Sequence, residues 1–370
     1  MALNQIKEFL MANEELQSLL RKMVDTEASD LFLTTGAPPH IKVNGESWAL
    51  TLPPLETDHA GLLAYSVMTP DQIADFERSL ECNLSYTAPG IGRFRISVYR
   101  QRGQTAMVAR RINVTVPGFE ALGLPPVVRD LALLQRGLLL VVGAAGSGKS
   151  TTLASMIEYR SHNSQGHILT VEDPIEFLFT HDKCTVDQRE VGIDTHSFAD
   201  ALRNAMRQAP DMIMIGEIRD RETMEHAIAY SETGHLCVST LHAANSSQAL
   251  KRIINFFPEN MHTQLRMDLS LNMQAIISQR LLPGAEGGRV LATETMLRSA
   301  YISDLILKGS MDELKQAIER SGVVGMHTFD QVLLELVKNG RIDQETALAN
   351  ADSRTDLSLR MRVRSAYDPR

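Results

Sequence analysis

The stretch Gly137-Leu-Leu-Leu-Val-Val-Gly143-Ala-Ala-Gly-Ser-Gly-Lys149-Ser-Thr151 runs from an apolar segment straight into the spacing Gly143-x4-Gly148-Lys149-Ser150. Leu138 to Val142 are long enough for a strand buried on both faces. Beyond the glycines, Leu153, Met156 and Ile157 recur at the i, i+3, i+4 spacing of one helix face. Strand, glycine loop and helix come in the order that a phosphate-binding loop requires, and a glycine-rich turn that binds nothing does not account for that context. Gly143, Gly146 and Gly148, with Ala144, Ala145 and Ser147 between them, let successive backbone N–H groups turn inward around phosphate oxygens. Lys149 reaches the β- and γ-phosphates, the Ser150 hydroxyl ligates Mg2+, and Thr151 continues the loop into the helix. The expected ligands are ATP or ADP with Mg2+.

Downstream, apolar strands alternate with amphipathic helices, the pattern of a parallel α/β sheet. Strands are expected at Ile168–Val171, Met212–Ile215 and Leu236–Thr240, and helices at Phe198–Gln208 and Glu222–Ser231. In an open parallel sheet the ligand lies beyond the carboxyl ends of the strands, so the polar residues found there come first. One strand runs into Glu172-Asp173-Pro174-Ile175-Glu176, one into Gly216-Glu217-Ile218-Arg219-Asp220, and one into Leu241-His242. Hydrolysis of a γ-phosphate needs a carboxylate to orient or deprotonate the attacking water, and Glu217 stands where a Walker B acid would. Glu172 and Asp173 either hold metal-bound water or polarise the attacking one. His242, just past its strand, is placed to sense the γ-phosphate, whereas His235 precedes the same strand.

With 370 residues and 44% hydrophobic composition, the chain has enough apolar material for a full core and an expected two domains. No apolar run approaches the roughly 18–20 residues of a membrane span, and the N-terminus, with Glu8, Glu14 and Glu15, lacks the pattern of a signal peptide. Both features point to the cytoplasm. The three cysteines Cys82, Cys184 and Cys237 are far apart and form no C-x-x-C pair, so they read as reduced structural thiols. A net charge of -8 argues against nucleic acid as the main partner.

The first hundred residues have a different texture. Apolar residues at helical spacing over 4–24 give way to short strands, with Asn44-Gly45 as a hairpin turn between Ile41–Val43 and Trp48–Leu50. Phe94, Ile96 and Val98 alternate with Arg93, Arg95 and Ser97, so one strand face packs on a core and the other presents guanidinium groups. A second strand is expected around Ala106–Ile112. Arg95, Arg102, Arg110, Arg111 and Arg136 all precede the phosphate loop. A solvated charged face is one reading of them; arginines that approach a neighbouring subunit's nucleotide are the other. Pro117, Gly118, Gly123, Pro125 and Pro126 suit a linker. The expected division is therefore an N-terminal domain over 1–113, a linker over 114–135, the ATPase core over 136–285, and a mostly helical region over 286–370 whose tail, 357–370, is mobile.

These residues, in this order, resemble the secretion-superfamily ATPases, most closely the type IV pilus retraction motors of the PilT/PilU kind. The likeness rests on Ala28-Ser29-Asp30-Leu31, Gly36-Ala37-Pro38-Pro39, Arg93-Phe94-Arg95, the phosphate loop, the acidic box Glu172 to Phe177, Gln188-Arg189-Glu190-Val191, the Walker B segment Gly216 to Asp220, and the histidine box from Thr233 to His242. It implies an α/β protein with a PAS-like N-terminal α+β domain joined to a RecA-like P-loop ATPase domain, assembled as a homohexamer. It also implies that Glu217 is the catalytic glutamate, that Glu172, His235 and His242 assist, and that Arg102 and Arg110, with Arg95, act between domains or subunits. The implied work is pilus retraction in twitching motility, at the base of the pilus. There the ATPase would meet an inner-membrane platform protein and a paralogous retraction ATPase, and touch the membrane only through partners. Ala209-Pro210-Asp211 and the segment Ala300 to Ile306 depart from the principal retraction motor's pattern and resemble the accessory PilU branch. An adaptor that binds ATP without turning it over, and a RecA-like nucleic-acid translocase, are the alternative readings.

Overall fold

The computed structural model describes residues 2–43, 45–112 and 115–365. Its contacts divide the chain into two units, Met1–Thr115 with Glu176–Leu178, and Val116–Ile175 with Phe179–Arg370.

In the first unit, the apolar stripe Leu16, Leu19, Leu20 and Met23 lies buried along one face of the helix Ala2–Asp25. It covers an antiparallel sheet made of β1 (Asp30–Thr34), β2 (His40–Val43), β3 (Glu46–Ala49), β4 (Glu81–Ala88), β5 (Gly92–Gln101) and β6 (Gln104–Ile112), in the order β3-β2-β1-β6-β5-β4. The alternation expected of β5 is present: Phe94, Ile96 and Val98 are buried and Arg95 is exposed. β2 pairs with β3 from His40↔Ala49 to Val43↔Glu46, and Gly45 between them has φ 90°. Asn44, the other residue of that turn, lies outside the described residues.

The second unit is built on a seven-stranded sheet of β7 (Gly137–Gly143), β8 (Gly166–Glu172), β9 (Cys184–Glu190), β10 (Met212–Ile215), β11 (Leu236–Leu241), β12 (Met273–Pro283) and β13 (Arg289–Leu297), in the order β13-β12-β7-β11-β10-β8-β9. Leu138 to Val142 are fully buried, because β7 lies between β11 and β12 with helices packed on the sheet.

Three sequence expectations need correction here. The sheet is mixed: six strands run parallel, and β13 returns antiparallel to β12, joined by the tight turn at Gly284–Gly288. The stretch 114–135 holds two short helices, Phe119–Leu122 and Val127–Ala132, whose Phe119, Val128, Leu131 and Ala132 are buried in the main core. Its prolines and glycines punctuate packed helices where a free linker was expected. The tail over 357–370 carries the helix Arg354–Ser365, pinned by Leu357, which is buried among Phe329, Leu333, Ile342 and Ala347; residues 366–370 lie outside the described residues. A smaller difference is that the helix from Phe198 ends at Ala205 and tightens into a 3-10 turn to Gln208, ahead of Ala209 at φ 49° and Pro210.

Since β7 is buried on both faces, truncating it leaves a cavity that its neighbours cannot fill. Leu139→Ala should cost the second unit about 2–5 kcal/mol in urea unfolding, while an exposed change such as Val324→Ala should cost less than about 0.5 kcal/mol.

Candidate nucleotide site

The parallel register sets the ends of the strands side by side on one edge of the sheet. Glu190 closes β9, Glu172 closes β8 opposite it, Glu217 lies two residues past β10, His242 one past β11, and the phosphate loop opens at Gly143 of β7. With neighbouring strands about 4.8 Å apart, residues 70 positions distant in sequence meet along one short row. Gly216, between β10 and Glu217, sits where a Cβ would lie 3.3 Å from the Val171 carbonyl oxygen, so the chain passes the end of β8 closely.

Gly146 and Gly148 have φ values of 74° and 86°, the left-handed conformation that aims successive N–H groups into one concavity. Gly148 caps the helix Lys149–Asn163, whose positive end faces the same place. Lys149 is buried, and its Nζ donates to the Gly143 and Ala144 carbonyl oxygens at 3.1 and 2.9 Å, which folds the ammonium group over the loop. Ser150 and Thr151 open the helix, and Leu153, Met156 and Ile157 anchor it in the core.

Glu217 has a neighbour at each oxygen. Oε2 accepts from Arg219 Nε at 2.8 Å, and Oε1 lies 3.1 Å from His242 Nε2. Arg219 also lies 3.6 Å from Asp173, so one guanidinium group spans the Walker B and acidic segments, and its bond to Glu217 raises its pKa above the ordinary arginine range. Glu172 is buried and accepts from Thr170 Oγ1 at 2.7 Å and Gln188 Nε2 at 3.2 Å. Thr240 Oγ1 donates to the Gly216 carbonyl at 2.7 Å, and Ile218 N donates to the Thr240 carbonyl at 2.9 Å, locking the Walker B turn to β11.

Not every expected residue joins this row. His235 precedes β11, at the opposite edge of the sheet, and pairs with Thr233 Oγ1 and the Tyr230 carbonyl. A six-residue strand of about 20 Å separates it from His242. Arg95, Arg102 and Arg110 belong to the first unit. Arg95 and Arg110 face each other across β5 and β6, and Arg110 Nε donates to the buried Asp30 at 2.7 Å. Arg102 lies in the turn at the far end of that hairpin, with φ 50°, so the three do not form one cluster. Arg219 and Gln188 stand in quoted motifs yet gained no role from the sequence, because only the strand pairing reveals what they touch. Gln279 and Glu294 carried no motif, although a carboxylate within the strand Thr293-Glu294-Thr295 is a signal of sorts.

The buried Glu294 accepts from Ser246 N at 2.8 Å, Ser246 Oγ at 2.7 Å and Ser278 Oγ at 3.3 Å. It thereby seats the first turn of the helix Ser246–Asn255, into which the His242 loop runs. Burial raises its pKa, and the bonds from Ser246 offset part of that. Its ionised form therefore costs the folded state; the cost is absent below the unfolded pKa and complete above the folded one. Glu294→Gln should gain stability relative to the parent as pH rises above about 4.5, and a pH-independent difference in unfolding midpoint would contradict this. At the loop, a Cβ on Gly143 would lie 2.3 Å from Ser147 Oγ and 2.7 Å from the Gln279 backbone oxygen. Gly143→Ala should weaken ADP binding at least about tenfold by calorimetry.

The sequence profile of the type II/IV secretion system protein family matches residues 7–364. The type IV pilus ATPase PilU of Pseudomonas aeruginosa is 51% identical over 355 residues, 96% of this chain and 93% of that one. The type IV pilus retraction ATPase PilT of the same organism is 41% identical over 337 residues, covering 91% and 98% of the two chains. Among solved structures, the pilus retraction motor PilT with bound ADP superposes with a TM-score of 0.88 at 42% identity, over 93% of this chain and 98% of that one. The chain belongs to the type II/IV secretion system family, among its pilus ATPases of the PilT/PilU kind.

Proposed function

We propose that this chain is a Mg2+-dependent ATPase that works as a homohexamer in the cytoplasm, at the base of a type IV pilus, and powers or assists retraction. The observation that carries the reading is the row on the sheet edge: a phosphate loop, then His242, then Glu217, then Glu172. Relatives named for pilus ATPase activity, and a neighbour that binds ADP, support it along nearly the whole chain.

In this reading the loop N–H groups and Lys149 hold the triphosphate, and Glu217 orients the attacking water. The Arg219 bond holds one Glu217 oxygen and sets the direction of the carboxylate, and the other oxygen, 3.1 Å from His242 Nε2, is left for the water. His242 reports on the γ-phosphate through the same contact. The donors suit Mg2+: Ser150 offers a hydroxyl, and Glu172 and Asp173 offer carboxylate oxygens for metal-bound water. Bound there, the ion would neutralise phosphate charge. Arg102 and Arg110, with Arg95, are proposed to act between domains or subunits; His235, at the opposite end of β11, is given no direct part at its own loop. The platform protein of the pilus and a paralogous retraction ATPase are the proposed partners, with membrane contact made through them. No helix among the described residues is long and apolar enough to cross a membrane.

Lys149→Ala should abolish ADP binding by calorimetry. Glu217→Ala should keep binding within a few-fold while ATP turnover falls by roughly 10²–10⁴; turnover near the parent rate in Glu217→Ala would remove this residue from the mechanism.

A further inference from the structure

β12 runs parallel to β7, and Gln279 on it pairs opposite Gly143. Gln279 is 1% exposed. Its Nε2 donates to Thr152 Oγ1 at 2.7 Å, in the first turn of the helix beyond the loop, and its backbone oxygen presses against Gly143. One residue thus touches the phosphate loop where the strand enters it and where the helix leaves it. A buried amide is costly unless paired, and an apolar side chain of similar size would pack here without that cost. Gln279 Oε1 is nonetheless buried without a hydrogen-bond partner, as is Ser147 Oγ inside the loop. The amide is placed to tie the two ends of the loop together.

Arg280, the next residue, points to the other face, as strand alternation requires. It donates to the Asn350 carbonyl at 2.5 Å and to Asp352 Oδ1 at 2.6 Å, and lies 3.8 Å from the centre of the Phe329 ring. Asp352 N donates to Asp330 Oδ1 at 2.8 Å, and Lys315 Nζ bonds the other Asp330 oxygen at 2.8 Å. The C-terminal helices therefore grip β12 on one face, while Gln279 grips the loop from the other.

We propose that Gln279 is a positioning residue for the phosphate loop, and that Arg280 couples its placement to the C-terminal helices, so that those helices tune nucleotide affinity from a distance. This rests on the loop's being the nucleotide site. The test is ADP calorimetry and ATP turnover on the full chain. Gln279→Leu and Thr152→Val should each raise the ADP Kd about tenfold, equivalent to roughly 1.4 kcal/mol, with KM raised and kcat at saturation unchanged. Thr152→Ser, which keeps the hydroxyl, should restore parent affinity, and the Gln279→Leu/Thr152→Val double variant should bind no more weakly than either single one. Arg280→Met should raise Kd about threefold in the parent and not at all in the Gln279→Leu background. Failure of the parent to bind ADP would overturn the nucleotide reading itself. Parent binding with unchanged Kd in the Thr152→Val or Gln279→Leu proteins, or additive effects in the double variants, would overturn this inference alone. If Gln279→Leu does not fold, the Thr152→Val and Thr152→Ser pair decides.

Discussion

Everything in the second unit depends on the parallel pairing of one fully buried strand, β7, with a neighbour on each side. Leu138 to Val142 have no water-exposed face, so the backbone groups of the strand must be satisfied by β11 and β12. Connections between parallel strands must cross back over the sheet, and this delivers the ends of six strands to the same edge. The site is a consequence of that topology. Glu172, Glu217, His242 and the glycine loop come from four different strands, and no local segment of the chain could assemble them.

The electrostatics of the row follow from its crowding. Glu217 and Asp173 are two carboxylates near one place, and Arg219 lies between them, bonded to one and within 3.6 Å of the other. His242 Nε2 lies 3.1 Å from the remaining Glu217 oxygen. A carboxylate anchored at one oxygen and flanked at the other is limited in direction, which suits the role proposed for it, aiming a water molecule. The buried Glu172, bonded to Thr170 and Gln188, is held as firmly. Stiffness on the acidic side of the edge is matched across β7 by the contacts of β12.

Much of this was legible in the residues. The phosphate loop declared itself through composition and context, and the strands before Glu172, Glu217 and His242 through short apolar runs that end in polar chemistry. The alternation of Phe94, Ile96 and Val98 marked the core face of the first sheet. What stayed hidden depended on pairing or on tertiary burial. Gln188 meets Glu172 only because β9 lies against β8, and Gln279 meets Thr152 only because β12 lies against β7. The prolines of 114–135 suggested a free linker because their signal is local, whereas Phe119 and Val128 are held by a core assembled from distant strands. Leu357 misled in the same way, its helix being fixed by Phe329 and Leu333. His235 and His242 share one motif yet lie at opposite ends of β11, as their places before and after its apolar run had indicated.

The central claim is that one sheet edge holds the terminal phosphate between the glycine loop and Glu217. The most direct measurement is a structure of the assembled protein bound to Mg2+ and a non-hydrolysable ATP analogue. The account predicts Lys149 Nζ in hydrogen-bond contact with the β- and γ-phosphates and a Glu217 oxygen within one water molecule of the γ-phosphorus. A γ-phosphate seated away from Lys149, or separated from Glu217 by more than a water in every subunit, would contradict it.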